Sequence, residues 1–190
     1  MNTIRALSLM TATLTMGLAT GAFALYAHAI MPGLKKTDDR TFVAAFQSID
    51  RAIINPWFML TAFLGALVFA GAAVALNLGR DALPWAAIAL GLYVVVVVIT
   101  FAVNVPLNDA LKAAGDPDRI DVAAARADFH EARWVAWNLV RAVLSTVAFG
   151  CLAWALVVHG RATADDGGSA APRQVTGEAP AWTASGQPRS

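Results

Sequence analysis

WAAIALGLYVVVVVITFAV, from Trp85 to Val103, is 19 consecutive residues without a charge. A helix rises 1.5 Å per residue, so this stretch covers about 28 Å, close to the roughly 30 Å apolar layer of a bilayer. It reads as a membrane span. Three more stretches read the same way: about Ala6 to Met31, with no Asp, Glu, Lys or Arg; Trp57 to about Leu78; and about Asn138 to Val158, whose one charge is Arg141. The first is longer than the roughly 7–15 apolar residues of a signal peptide, so it is expected to stay as a helix. The whole chain agrees, being 58% hydrophobic and 14% charged, where a soluble domain carries about 25% charge. A net charge of +1 with no basic face excludes a nucleic-acid partner. Cys151 is the sole cysteine, which rules out an intrachain disulfide and a CxxC motif.

The connections carry their own signals. Asp38 and Asp39 are placed to cap a helix start. Phe42, Phe46, Ile49 and Ile53 then follow helical spacing on one face, which predicts an amphipathic helix on the membrane or over the bundle. Asn55-Pro56 restarts the chain as an N-cap and a first helical position. Between Asp121 and Phe149 there is neither Gly nor Pro, so the fourth helix is expected to begin outside the membrane as one rod. Gly17 and Gly21 form a GxxxG spacing that suits close helix approach. Pro32 and Pro106 fall at corresponding places of two halves that each read helix, proline, amphipathic helix, helix. The expected fold is all-α: an integral membrane four-helix bundle over residues 1–161, with spans of about 6–31, 57–78, 85–103 and 138–158. Amphipathic helices fill the first and third connections, and residues 162–190, rich in Ala, Gly, Ser, Thr and Pro, form a disordered tail.

Polar groups are costly inside a bilayer and default to functional candidates. In an up-down bundle the ends of helices one and three and the starts of helices two and four share one membrane side. That side collects His28, Asn55, Asn104, Asn108, Asp109, Arg133, Trp134, Trp137, Asn138 and Arg141. On helix four, His130, Trp134, Trp137 and Arg141 form a stripe. Two indoles, a guanidinium and an amide could hold a flat aromatic with acidic hydroxyls. The same residues also suit a tryptophan belt and a snorkelling arginine. His28 fits a general base or an interfacial hydrogen-bonding group; Asn104 and Asn108 fit ligand contacts or caps of helix three. No paired-histidine spacing supports a metal site.

From about residue 5 to 160 the chain resembles the family of small four-helix membrane proteins grouped with anthrone oxygenases. The resemblance rests on MPGL at Met31 to Leu34, FVAAFQSIDRAIINPWF at Phe42 to Phe58, NVPLND at Asn104 to Asp109 and RWVAWNLVR at Arg133 to Arg141. It implies oxidation of an anthrone, or another aromatic polyketide or quinone-like substrate, by dioxygen without metal or flavin. The reaction needs a base, stabilisation of an anion and a flat pocket. His28 is then the candidate base, Arg133 and Arg141 the anion stabilisers, and Asn104, Asn108, Trp134, Trp137 and Asn138 the substrate contacts. The alternative is a non-catalytic membrane protein that binds a lipid or a protein partner. Either way the expected setting is multi-pass in a cell membrane, a bacterial inner membrane on the flavour of the composition. The Lys and Arg of the long connections favour a cytoplasmic polar end.

Overall fold

The computed structural model describes residues 2–169. Six helices follow in order: α1 (Asn2–Leu34), α2 (Asp39–Ile53), α3 (Pro56–Leu76), α4 (Leu83–Ala113), α5 (Val122–Asp128) and α6 (Glu131–Ser169). Four of them, α1, α3, α4 and α6, are long and apolar enough to cross a membrane. The protein is thus a multi-pass helical membrane bundle.

The four spans close into a ring, α1 against α3 and α6, and α4 against α3 and α6. Small side chains fill the seams: Ala12, Ala19, Ala66, Ala73, Ala86, Ala89, Ala148 and Ala155 are buried. In lipid there is no hydrophobic drive between helices, so close backbone approach through small residues supplies the packing. Gly17 serves this end, since a Cβ there would meet the Phe149 ring at 3.1 Å; Gly21 has no such neighbour. Leu14, Leu18, Val68, Val98 and Val143 face outwards, as a lipid-solvated surface requires.

Three of the spans are interrupted by a widened, π-helical turn: Tyr26–Ile30 in α1, Met59–Phe63 in α3 and Thr100–Asn104 in α4. All three lie toward the same end of the bundle. In each, an amide reaches back five residues, from Met31 to the Tyr26 carbonyl, Leu64 to Met59 and Val105 to Thr100. Proline accounts for two of them. Pro32 and Pro106 each follow two residues after a widened turn. A proline ring clashes with the carbonyl four residues earlier and offers it no N–H, and the extra residue relieves both defects. In α3 the turn brings the Leu60 carbonyl to 2.5 Å from where a Cβ on residue 65 would sit, so that position is Gly65.

That end is roofed by the connections. Asp38 caps α2 by accepting from the Thr41 amide at 3.0 Å, and this bond, reinforced by the Thr41 hydroxyl, holds its carboxyl below the usual range. Phe42 and Phe46 of α2 pack obliquely against the Phe129 ring, and Phe46 meets Trp134 of α6 edge-on. Gln47 donates to the Leu111 carbonyl at 2.8 Å and the Gly115 carbonyl at 3.0 Å, capping the end of α4. Arg126 of α5 bridges the Thr37 carbonyl, Asp39 and Glu131. Asn55 caps α3 through the Phe58 amide, as its sequence position predicts.

Two boundaries differ from the sequence reading. The expected rod from Asp121 is broken at His130, whose φ of 52° is left-handed, and this lets α5 fold back onto α2. At the other end α6 continues to Ser169, past the expected start of the tail at residue 162; residues 170–190 lie outside the described residues.

Candidate functional site

Under the α2 roof the spans enclose a cavity of about 250 Å³. Phe23 and Tyr26 line it from α1, Asp50 and Ile53 from α2, Phe58, Met59 and Phe63 from α3, Thr100, Phe101 and Asn108 from α4, and Trp134 and Arg141 from α6. The three widened turns ring this space. Each contributes lining residues: Tyr26, Met59 with Phe63, and Thr100 with Phe101. An inserted residue rotates the helix on either side of it, which turns such side chains inward where a regular helix would turn them elsewhere.

Arg141 dominates the electrostatics. It is buried, 6% exposed. Its Nη1 donates to the Thr100 hydroxyl at 3.1 Å and its Nη2 to Asn138 Oδ1 at 2.9 Å. Asn138 is fixed in turn, its Nδ2 donating to the Phe23 carbonyl at 3.1 Å. The guanidinium lies 4.7 Å from the Phe23 ring centre and 5.7 Å from that of Trp134. Every one of these partners is neutral, and Nε has no partner at all among the described residues. A buried cation is normally paired with an anion, because leaving it uncompensated costs several kcal/mol (about 3–5 where a partner is removed). Here the protein orients the cation and leaves its charge open toward a cavity.

α2 brings a negative charge to the lining. Asp50, 4% exposed, accepts from Asn108 Nδ2 at 2.6 Å and pairs with Lys112 at 2.8 Å. Lys112 also meets the more exposed Asp109 at 3.0 Å. Asn108 is oriented from the other side by the Trp134 indole, which donates to its Oδ1 at 2.6 Å. Trp134, Asn108, Asp50 and Lys112 thus form one chain of hydrogen bonds across α6, α4 and α2. Asn104 donates to the Trp134 carbonyl at 3.3 Å, while its buried Oδ1 has no partner among the described residues.

The structure therefore brings together Asn104, Asn108, Trp134, Asn138 and Arg141 of the sequence candidates. It does not bring His28, Arg133 or Trp137 to them. His28 and Arg133 are exposed, and Trp137 is 38% exposed; none lines the cavity. The physical reason lies in phase. Arg133 falls beside Trp134 on the outer face of α6, and the widened turn at Tyr26–Ile30 points Tyr26, not His28, inward. Asp50, Tyr26 and Thr100 were not among the sequence candidates. For Asp50 a signal existed: it lies four residues after Phe46 and three before Ile53, so an acid falls on the apolar face of an amphipathic helix. For Thr100 and Tyr26 no signal precedes the widened turns that aim them. Among the described residues no group of His, Cys, Asp and Glu is arranged to hold a metal ion.

The fold and cavity define a class: a helical membrane protein with an aromatic-walled chamber lined by an oriented cation and a carboxylate. A sequence model of the anthrone oxygenase family matches residues 42–151, more than half of the chain, and the chain belongs to that family. The match runs from Phe42 in α2 to Cys151 in α6 and so includes Asp50, Asn104, Asn108, Trp134, Asn138 and Arg141. Comparison with curated proteins and with solved structures finds no match.

Proposed function

We propose that the cavity oxidises a flat, acidic aromatic substrate of the anthrone type with dioxygen, the chain supplying only positioning, a base and a cation. The observation that carries this reading is Arg141: buried, oriented by Thr100 and Asn138, and lacking an anionic partner among the described residues. The missing anion is the substrate's own phenolate or enolate oxygen. Its rings lie among Phe23, Phe58, Phe63 and Trp134.

The chemistry balances as follows. Asp50 takes a proton from the substrate methylene, and the electron pair left behind spreads over the rings onto the oxygen facing Arg141. The carbanion passes one electron to dioxygen, and the radical pair joins to form a C–O bond. Protonation of the distal oxygen gives a hydroperoxide. Loss of the second C–H proton then forms the carbonyl, breaks the O–O bond and releases water. One dioxygen is consumed; one of its atoms stays in the quinone and the other leaves as water. A positioned base contributes about 10²–10⁴-fold, and preorganised stabilisation of a developing oxyanion about 10²–10³-fold.

Asp50 takes the base role that the sequence alone assigns to His28, because Asp50 lines the cavity and His28 does not. The test is dioxygen uptake by detergent-purified full chain with 1,8-dihydroxyanthrone, measured against the spontaneous rate. An acceleration that falls about 10²-fold in Arg141→Leu and in Asp50→Asn supports the reading. No acceleration by the unaltered chain would leave a binding protein in its place.

A further inference from the structure

The cavity has walls on three seams and a roof, but one seam is loose. Asn138 bonds the α6–α1 seam to the Phe23 carbonyl, and Arg141 and Asn104 bond the α6–α4 seam. The α1–α3 seam is packed through the widened turn of α3. The roof is shut by the Asp50–Lys112 pair and by Phe42, Phe46 and Phe129. Between α3 and α4 the contacts are made deeper in the membrane, where the Tyr93 hydroxyl donates to the Phe63 carbonyl at 2.9 Å. Above that bond the two helices meet through the rings of Phe63 and Phe101, 6.1 Å apart. The rim of this opening is Ile54, Phe58, Phe101 and Val105. Ile54 is 58% exposed and Phe101 55%, and no rim side chain is polar.

The depth of the opening decides what it faces. Met59 lies 17 residues from Leu76, Phe101 18 from Leu83 and Arg141 18 from His159. At 1.5 Å per residue all three sit about 25–27 Å from the far end, within a roughly 30 Å apolar layer. Phe58, likewise 18 residues from Leu76, and Phe101 are bathed by acyl chains at that level, and Leu60 beside them is 65% exposed.

We propose that the cavity exchanges its ligand with the bilayer itself, sideways between α3 and α4 past Phe101 and Ile54, so that its substrates are acidic aromatics dissolved in lipid. This rests on the cavity being the ligand site proposed above. The ligand enters with its acidic oxygen leading toward Arg141, and its least polar edge stays nearest the opening. A substituent that cannot enter lipid bars the molecule even when its acidic head is unchanged.

The test uses the full chain in lipid nanodiscs and stopped-flow quenching of tryptophan fluorescence. The probes are 1,8-dihydroxyanthraquinone and a derivative sulfonated on one ring, which keeps a phenolic head but stays in water. At equal free aqueous concentration the parent should associate more than tenfold faster than the sulfonate. Ile54→Trp and Phe101→Trp should each slow the parent severalfold, whereas Val147→Trp, on the lipid face of α6 at 49% exposure, should not. Equal rates for the two probes, or rates indifferent to both rim variants, overturn the lateral route. Equilibrium binding in detergent separates the two ideas. Binding lost in Arg141→Leu together with equal probe rates retains the site and discards the route, and the absence of Arg141-dependent binding discards both.

Discussion

At the scale of single residues, the site depends on how one cation is held. Arg141→Lys keeps the charge but replaces a planar fork with a point charge that cannot bridge Thr100 and Asn138 in the same geometry. Most of the Arg141→Leu loss should therefore reappear in Arg141→Lys, read as dioxygen uptake. Trp134→Phe removes the donor to Asn108 and leaves a half-buried acceptor unpaired. A loss of about 1–3 kcal/mol is expected, read as a lower midpoint of thermal unfolding in detergent. His28→Ala and Arg133→Ala should leave turnover within about twofold of the unaltered chain, a margin under about 0.5 kcal/mol of barrier. The legible residues were those whose polarity contradicts a span: Arg141, Asn138 and Asn104 stand out in apolar sequence. Asp50 stands in charged sequence, so its polarity does not mark it, and only its register with Phe46 and Ile53 does.

At the scale of elements, the widened turns are the least legible and the most consequential feature. Hydropathy marks the thickness of the apolar layer, so it locates each span but neither the helix ends beyond it nor a residue inserted within it. The prolines were visible, and their matched places in α1 and α4 correspond to matched widened turns. The turn in α3 had only Gly65 to announce it. Gly65→Ala sets a Cβ 2.5 Å from the Leu60 carbonyl and should destabilise by about 1–3 kcal/mol, again read by thermal unfolding. Pro106→Ala removes the clash that favours the turn in α4. The expected result is retained or raised stability with reduced uptake, because a regular helix there rotates Thr100 and Phe101 away from Arg141. The cap of α2 gives a pH dependence. Asp38 has a folded carboxyl below its ordinary range, so its contribution is present above the unfolded value and lost as pH falls through the folded one. Asp38→Asn should flatten that acid limb of the α2 melting profile, followed by circular dichroism.

At the scale of the whole molecule, the bundle is asymmetric along its axis. At the far end Arg5 Nε ties α1 to the Leu76 carbonyl of α3 at 2.9 Å, and Asn77 Nδ2 caps α3 on the Ala73 carbonyl at 2.8 Å. The cavity end is opened by the three widened turns and held by side chains. The convergence of polar groups at that end followed from topology alone, since alternate spans must bring the same ends together. What topology could not supply was phase around each helix, which separates Arg141 from Arg133 and Tyr26 from His28. Amide hydrogen exchange should show the split, with the segments 24–31, 57–64 and 98–105 exchanging faster than the mid-span amides of the same helices.

The one charge in the apolar stretch of α6, Arg141, also bears on how the chain is made. An arginine resists insertion by about 2.5–3.5 kcal/mol at the centre of a helix that enters lipid alone, and by less toward its end. Arg141 stands about one turn inside the apolar stretch of α6, and its supports outside that helix, the Thr100 hydroxyl, the Phe23 ring and the Phe23 carbonyl that fixes Asn138, belong to α4 and α1. Synthesis proceeds from the N-terminus, so both helices are already in the membrane when α6 leaves the ribosome. The order of the helices along the chain lets the last one arrive at a berth prepared for its charge.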